Sequence, residues 1–418
     1  MATKIFDYGM NGEGVAKLEG KVILIPNSLV NEEVDIEIIK DYGNYATANL
    51  CQIITSSPNR TEPKCPYFSL CGGCQLQHMS YSEQLRFKTN HIQKTLKKIT
   101  GLNLDVNDTI PCSTQYEYRN KMSFSVKDNQ FGLFEEKSNN IIDMNFCPLA
   151  NKEINNISKF FNDYLKINPI ESIKNIVIRS IENQTLIGVV TRNYIDLKFL
   201  FDLLNQAFKN FGLYEIVNQR KDSVVLSGKV YHIGGLKEIK INNFNVSYSV
   251  DLLGFHQTNL EIQNKLYEKV LTYIDSNSIV LNGFSGQGLL TAILSTKANH
   301  VTGIEINKSS HKSAQNLKQK NKIKNITNIC GDFFKEIKNI KNQFDTIILD
   351  PSKKGCGKDV MQEINGIENI IYISCNPIAL SKDLNVIKDN YIIEEITPFD
   401  MFPNTTSVET LVKLKLKN

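Results

Sequence analysis

The sequence has nine cysteines, and they are unevenly placed. Three fall close together, as Cys65, Cys71 and Cys74 in Cys65-Pro66-Tyr67-Phe68-Ser69-Leu70-Cys71-Gly72-Gly73-Cys74, and Cys147 follows in Phe146-Cys147-Pro148-Leu149-Ala150. The chain opens with Met1-Ala2-Thr3-Lys4-Ile5-Phe6-Asp7, which lacks the apolar core of a secretory signal, so clustered thiols point to metal or catalysis rather than disulfides. Four thiolates suit zinc and, on spacing alone, suit a [4Fe–4S] cluster equally. Cys375 stands apart, in Ile371-Tyr372-Ile373-Ser374-Cys375-Asn376-Pro377. A cysteine after an apolar strand is more often a small packed hydrophobe. The polar Ser-Cys-Asn-Pro turn argues for exposure instead, which suits a nucleophile. Glu409, just before the last strand in Ser407-Val408-Glu409-Thr410-Leu411-Val412, is the carboxylate to pair with it as a base. Cys51, Cys112, Cys330 and Cys356 have no comparable setting.

A second group is a ladder of acids at strand ends. Ile279-Val280-Leu281-Asn282-Gly283-Phe284-Ser285-Gly286-Gln287-Gly288 sets an apolar strand before a glycine turn and a helix, where backbone approaches a ligand closely. Glu305 in Gly303-Ile304-Glu305 suits two ribose hydroxyls, and Asp332 in Gly331-Asp332-Phe333 lies where an adenine amine would fall. Asp350 ends a fourth strand in Asp345-Thr346-Ile347-Ile348-Leu349-Asp350-Pro351. One such acid would simply cap a loop or helix. Three in order at the carboxyl edge of an open α/β sheet predict a nucleotide-like cofactor. The glycine-x-glycine-x-x-glycine fingerprint of dinucleotide enzymes is not met by Gly283, Gly286 and Gly288, which favours S-adenosylmethionine over a nicotinamide.

These residues need elements to position them. At 418 residues, two or three domains are expected. Hydrophobic content of 41% and charged content of 22% are those of a globular protein, and no apolar run is long enough for a membrane span. A cytoplasmic location is therefore the expectation, with no membrane partner. The net charge of +4 permits RNA binding without requiring it. Residues 1–56 carry short strand signals over Lys21–Ile25, Glu33–Ile39 and Ala46–Ile54 between turns such as Asn11-Gly12-Glu13-Gly14, which predicts a small β-barrel. A helix is predicted over Tyr81–Thr100, capped by Ser80 or Ser82. Residues 57–250 form a central α+β unit, with strands at Lys121–Val126 and Thr185–Val190 and helices at Ile154–Leu165 and Asp196–Phe208. From residue 251 to 418, strands at Ile279–Leu281, His300–Ile304, Thr327–Cys330, Thr346–Leu349 and Asn369–Ile373 alternate with Leu289–Ser295, Ser309–Lys320 and Asp359–Glu363 as helices. That alternation predicts a doubly wound parallel sheet of the α/β class.

Ser374-Cys375-Asn376-Pro377, together with Asp400-Met401-Phe402-Pro403-Asn404-Thr405-Thr406-Ser407-Val408-Glu409, closely resembles the RNA uracil-C5 methyltransferases. Uracil C5 is a poor nucleophile; a thiolate adding to C6 makes it enolate-like, and a base must then remove the C5 proton. The resemblance implies that Cys375 is that nucleophile and Glu409 that base. Phe255-His256-Gln257-Thr258-Asn259 looks like the stretch that holds a cofactor-site glutamine, Gln257, while Phe284, Leu289, Glu305, Asp332 and Asp350 match further cofactor contacts. Residues 1–56, with Gly12-Glu13-Gly14-Val15-Ala16 and Ile25-Pro26-Asn27, are similar to the OB-like, RNA-binding TRAM barrel. The cysteine motif resembles the family's iron–sulfur site, with Cys65, Cys71, Cys74 and Cys147 as ligands of a [4Fe–4S] cluster. Tyr118-Arg119-Asn120-Lys121 resembles a basic RNA-facing strand. The likeness spans almost the whole chain. It implies a Rossmann-like C-terminal domain, a central iron–sulfur domain, monomeric action, and 23S ribosomal RNA as the partner.

The sequence also departs from the family pattern. Asn282 stands where aspartate is usual, Ser352-Lys353 where proline–arginine is usual, and Asn404 and Ser407 where histidines are common. Two other readings follow from these features: a catalytically weakened RNA-binding protein of the same fold, and a methyltransferase of tRNA. A radical iron–sulfur enzyme is a third, but those favour Cys-x3-Cys-x2-Cys, whereas this spacing is Cys-x5-Cys-x2-Cys.

Overall fold

Short strands that alternate buried and exposed positions begin the computed structural model, which describes residues 1–128 and 130–417. They are β1 (Ala2–Lys4), β2 (Asp7–Tyr8), β3 (Gly14–Leu18), β4 (Lys21–Ile25), β5 (Glu33–Asp41) and β6 (Tyr45–Thr55), ordered β1-β5-β6-β4-β3-β2. Only the β4–β6 pair is parallel, and three irregularities in the β5–β6 register curl the sheet around Ile5, Ala16, Ile23, Ile25, Val34, Ile36, Ala46 and Ala48. A long segment containing three of the clustered cysteines leads from this sheet to α1 (Tyr81–Thr100). The Ser80 hydroxyl accepts from the Glu83 amide to start α1, and left-handed Gly101 ends it by donating to the Lys97 carbonyl.

The central unit is a seven-stranded sheet of β7 (Lys121–Lys127), β8 (Gln130–Phe134), β9 (Ile141–Asp143), β10 (Ile173–Ile181), β11 (Gln184–Thr191), β12 (Phe211–Val217) and β13 (Lys229–Gly235). Its order is β13-β12-β11-β10-β7-β8-β9. The helices α2 (Lys152–Ile167) and α3 (Lys198–Ala207) cover one face, burying Ile154, Ile157, Phe161, Leu200 and Leu204 against strand residues such as Phe124 and Ile178. A hairpin, β14 (Ile239–Asn243) with β15 (Val246–Val250), shares a core with Val177, Leu186, Val190 and Ile216.

The last unit contains α4 (Leu260–Thr272), β16 (Ile279–Gly283), α5 (Leu289–Leu294), β17 (His300–Glu305), α6 (Lys308–Lys320), β18 (Ile326–Cys330), α7 (Phe333–Ile340), β19 (Thr346–Leu349), α8 (Lys358–Glu363), β20 (Asn369–Ser374), α9 (Pro377–Ile387), β21 (Tyr391–Phe399) and β22 (Glu409–Leu416). Their order is β18-β17-β16-β19-β20-β22-β21, parallel up to β20, with β22 antiparallel to both neighbours. This is the α/β, Rossmann-like architecture. The order in which strands are added reverses between the parallel β16 and β19, and the crevice outside those carboxyl ends is where such sheets bind ligands. Helix α1 is embedded here: its Ile92 and Leu96 are buried with Leu384, Ile387 and Ile396. No described helix is long and apolar enough to cross a membrane.

Candidate active site

The crevice opens into a cavity of about 1400 Å³, whose walls include Gln257, Phe284, Leu289, Asp350, Cys375 and Glu409. Six of the eight residues predicted for catalysis and cofactor binding therefore share one space. Glu305 and Asp332 do not line it.

Cys375 sits between a strand and a helix. Ser374 ends β20, and Asn376 caps α9 by accepting from the Ile378 amide at 3.1 Å, with Pro377 in the first turn. The Asn376 side-chain nitrogen also donates to the Lys353 carbonyl at 2.8 Å, tying the loop after Asp350 to the cysteine's own turn. Glu409 opens β22, and Ser374 pairs with Thr410 in the β20–β22 ladder. Cys375 follows Ser374 directly and so leaves β20 beside the start of β22, where Glu409 lies. Asp350 follows β19 on the other side of β20.

Electrostatics tie these groups together. Burial, followed by the charge of Glu409, pushes the Cys375 thiol up to about 11; the Lys353 ammonium pulls it back, and Asp350 adds to the rise. Burial alone pushes Asp350 up to about 7, although its side chain keeps an opening to the cavity. Glu409 is 3% exposed, and burial together with Asp350 holds its carboxyl well above the ordinary range. Proton affinity is thus raised at all three groups. A cleft of this kind is suited to taking a proton from carbon, provided the carboxylate is ionised when substrate is present.

The cofactor half is built on strained glycine-rich backbone. Phe284 has a φ of +62°, and its ring lies 4.9 Å from that of Phe333. Gly288, with a φ of +83°, leads into Leu289; a Cβ there would lie 2.7 Å from that of Ala314, so only glycine lets α5 and α6 approach. Glu305 accepts from the Gly286 amide at 2.9 Å and the Asn307 amide at 2.6 Å, and Asp332 accepts from the Lys335 amide to cap α7. Asp332 does the local capping of a lone acid at a strand end, whereas Glu305 joins its own turn to the glycine turn after β16. The central sheet braces the Gln257 loop: Asn120 donates to the Gln257 carbonyl at 3.0 Å, and Arg179 donates to the Gly254 carbonyl at 2.7 Å. Burial and the neighbouring Arg179 lower Lys121 to about 8, and its ammonium reaches the Leu252 carbonyl at 3.4 Å.

The four clustered cysteines are neighbours. The Cys74 thiol is pushed up to about 12 by burial, with Cys147, Cys71 and Cys65 adding to the rise and a Gln77 hydrogen bond opposing it. Cys71 and Cys74 also line the large cavity. Among the described residues, however, no group of three or more His, Cys, Asp or Glu side chains stands in a metal-holding arrangement. The expected donor set is assembled chemically, but not at ligand spacing.

Several residues of the cavity wall lie outside the set expected from the sequence. Arg119, expected to face RNA, lines the cavity, as do Asn282, Gln287, Phe402 and Thr405, which lie within the quoted motifs but have no site role assigned by them. Of these, Asn282 was visible as a departure: its amide nitrogen donates to Thr291 Oγ1 at 2.9 Å, while its buried oxygen has no partner.

Known proteins bear on this geometry. A family model described as tRNA (Uracil-5-)-methyltransferase matches residues 80–417, and a TRAM domain model matches residues 4–51. An RNA methyltransferase of Clostridium tetani is 31% identical over 437 residues, covering 98% of this chain and 94% of the relative. One from Staphylococcus aureus is 30% identical over 440 residues, covering 99% and 97%. The crystal structure of Pyrococcus abyssi tRNA (uracil-54, C5)-methyltransferase in complex with S-adenosyl-L-homocysteine superposes with a TM-score of 0.80 at 26% identity, covering 99% of each chain. This chain belongs to the RNA uracil-5-methyltransferase family, as an S-adenosylmethionine-dependent enzyme with a TRAM domain.

Proposed function

We propose that this enzyme methylates C5 of a uridine in 23S ribosomal RNA, with Cys375 as nucleophile and Glu409 as base, acting as a monomer in the cytoplasm. The observation that carries the reading is the shared cavity: Cys375, just past the end of β20, and Glu409, at the start of β22, both line it beside Asp350, Phe284 and Gln257. The Cys375 sulfur adds to C6, and the electron pair of the C5–C6 bond becomes available at C5. When bound, S-adenosylmethionine supplies a methyl group on a positively charged sulfur. Once C5 carries that methyl, Glu409 takes the C5 proton, the C5–C6 double bond reforms, and the Cys375–C6 bond breaks. A carboxylate of raised proton affinity is the stronger base for that step. Asp350 lines the same space, which supports a role in orienting the uracil ring.

Gln257, Phe284 and Leu289 are proposed to hold the cofactor from the cavity wall. Glu305 and Asp332 are proposed for its ribose and adenine, with the Glu305 carboxylate already fixed by two amides. The target base must leave its stack, at a cost least in loops. The barrel turn Asn11–Glu13 and Arg119 line the same cavity, and this supports a role for both in holding the RNA. Cys65, Cys71, Cys74 and Cys147 are proposed to hold a [4Fe–4S] cluster; desolvated neighbouring thiols suit a soft metal group. No proton or methyl step depends on that group.

A second reading is a tRNA substrate, favoured by the Pyrococcus abyssi neighbour, whose name specifies uracil-54 of tRNA. Labelled methyl transfer to 23S ribosomal RNA and tRNA transcripts, with mass-spectrometric mapping of 5-methyluridine, separates the two. Incorporation into 23S transcripts that Cys375→Ala abolishes is the expected result. Incorporation into tRNA alone selects the second reading, and RNA binding without transfer to either would indicate a catalytically weakened protein.

A further inference from the structure

We propose that Asn404 is a positioning residue for Glu409, tying the loop that precedes the base to helix α1 and to the cysteine segment at once. The inference rests on the reading of Glu409 as base. Asn404 is 1% exposed and has a φ of +68°, a left-handed conformation that asparagine tolerates better than most residues. Each kind of polar group it carries is engaged. Its amide donates to Gln84 Oε1 at 2.9 Å, and its side-chain oxygen accepts from Gln84 Nε2 at 3.2 Å. The side-chain nitrogen donates to the Gln115 carbonyl at 2.6 Å. Its carbonyl accepts from the amides of Gln75 and Leu76, at 3.1 and 3.0 Å, immediately after Cys74.

The rest of the loop is held in the same manner. Tyr118 donates to the Pro403 carbonyl at 3.1 Å, and Lys88 to the Phe402 carbonyl at 3.0 Å. Between Asn404 and Glu409 the chain is short and internally bonded, with Thr405 Oγ1 donating to Phe402 and accepting from Ser407. Thr405, Thr406 and Ser407 line the cavity on the way to Glu409. Nothing in this loop is set by a regular ladder until β22 begins. The side chain of Asn404 is the tie nearest the base that links this loop to helix α1 and to Gln115 at once. Misplacing a reacting group by about 1 Å costs roughly 100-fold in rate.

The test uses full-length enzyme and transcripts of 23S ribosomal RNA and tRNA, made with uridine or with 5-fluorouridine. Asn404→Gly keeps the left-handed backbone and its amide and carbonyl while removing the side-chain bonds. It is expected to lower turnover on uridine about 10- to 100-fold with KM for RNA nearly unchanged. A methylated covalent protein–RNA adduct should accumulate on denaturing gels, as for Glu409→Gln run in parallel. With 5-fluorouridine, where no C5 proton is available to the base, Asn404→Gly should form adduct at the wild-type rate. Gln84→Met removes the amide pair from the other side and should give the same signature, which covers poor folding of the first variant. Normal turnover by Gln84→Met, or loss of uridine turnover and fluorouridine adduct together, would overturn the proposal. Adduct with Glu409→Gln but none with Asn404→Gly also overturns it, whereas no adduct with Glu409→Gln rejects the base assignment itself.

Discussion

The ammonium of Lys88 and the carboxylate of Asp400 form an ion pair in which both side chains are wholly shut off from solvent. Helix α1 supplies the cation, and the loop after β21 supplies the anion. Tyr81 completes the shell, donating to Asp400 at 2.7 Å while accepting from the Cys112 amide at 2.8 Å. Burial draws the Lys88 ammonium down and Asp400 draws it back up. The pair anchors the loop that runs on to Glu409.

Breaking such a pair from one side strands a charge in a dry interior. Lys88→Met should destabilise the fold by about 3–5 kcal/mol, while a Lys88→Met/Asp400→Leu double variant should recover a large part of that loss. Urea unfolding of wild type, Lys88→Met, Asp400→Leu and the double variant measures it. Additive losses in the double variant would show that the two side chains do not act as a pair.

The carboxyls of the cleft set the pH dependence. Asp350 has its folded value raised to about 7, so the stability tied to its protonated form is complete below the ordinary carboxylate range and is lost as pH rises through 7. Asp350→Asn stays neutral and should melt above wild type at pH 8, by on the order of 1–2 kcal/mol, since solvent reaching it through the cleft trims the full effect. The difference should close toward pH 4. Turnover runs the other way. Glu409 must be ionised and Cys375 must shed its proton, and both groups are raised, so kcat should climb from pH 6 through pH 9. A profile that falls across that window would count against both assignments.

Thiol reactivity checks the nucleophile without RNA. With Cys375 pushed up to about 11, its peptide should be alkylated by iodoacetamide roughly tenfold faster per pH unit between pH 7 and 10. Lys353 is the cation that opposes this rise, so Lys353→Met should slow alkylation at a given pH by about 3- to 10-fold, and Lys353→Arg should restore it. Peptide-resolved mass spectrometry separates this site from exposed Cys51 and Cys330. Equal rates in Lys353→Met and wild type would remove Lys353 from the electrostatics of the site.

Much of this arrangement was legible because it is local. Helix α1 has the predicted bounds, since Ser80 and Gly101 are strong cap signals on either side of an apolar face. Strand β19 was likewise complete in Thr346–Leu349, a continuous apolar run between polar ends. Helix α9 is not among the expected helices, although Asn376-Pro377 is a cap followed by a first-turn proline; the apolar residues behind it are too evenly spread to mark a helical face. Glu305 and Asp332 were read by their order along strand ends, a pattern that cannot separate a ligand-facing acid from a cap. The Lys88–Asp400 pair joins positions 312 residues apart, and Gln84–Asn404 joins positions 320 apart. No period or spacing in a single chain encodes such partners. They follow from embedding α1 in the last unit, a packing decision made by Ile92 and Leu96.

Gly12 fixes how the barrel meets the catalytic unit. Its φ is +82°, and a Cβ there would lie 2.6 Å from Leu76 Cδ2 and 3.3 Å from Thr406 Cγ2. Leu76 is fully buried among Leu29, Met79 and Phe87, so its side chain has little room to give. Gly20 is the natural control, with a φ of +85° but nothing within 4 Å of a Cβ. Gly20→Ala should cost about 1 kcal/mol, from left-handed backbone strain alone. Gly12→Ala carries the same strain plus overpacking, and should lose a further 1–3 kcal/mol or so. Because the crowded partners are Leu76 and Thr406, the barrel must shift away from the base loop to relieve them. Filter binding should then show weaker RNA affinity for Gly12→Ala than for Gly20→Ala, with S-adenosylmethionine affinity equal in both. Matching melting curves and matching RNA affinity in the two variants would mean that the barrel seats on the catalytic unit without using this contact.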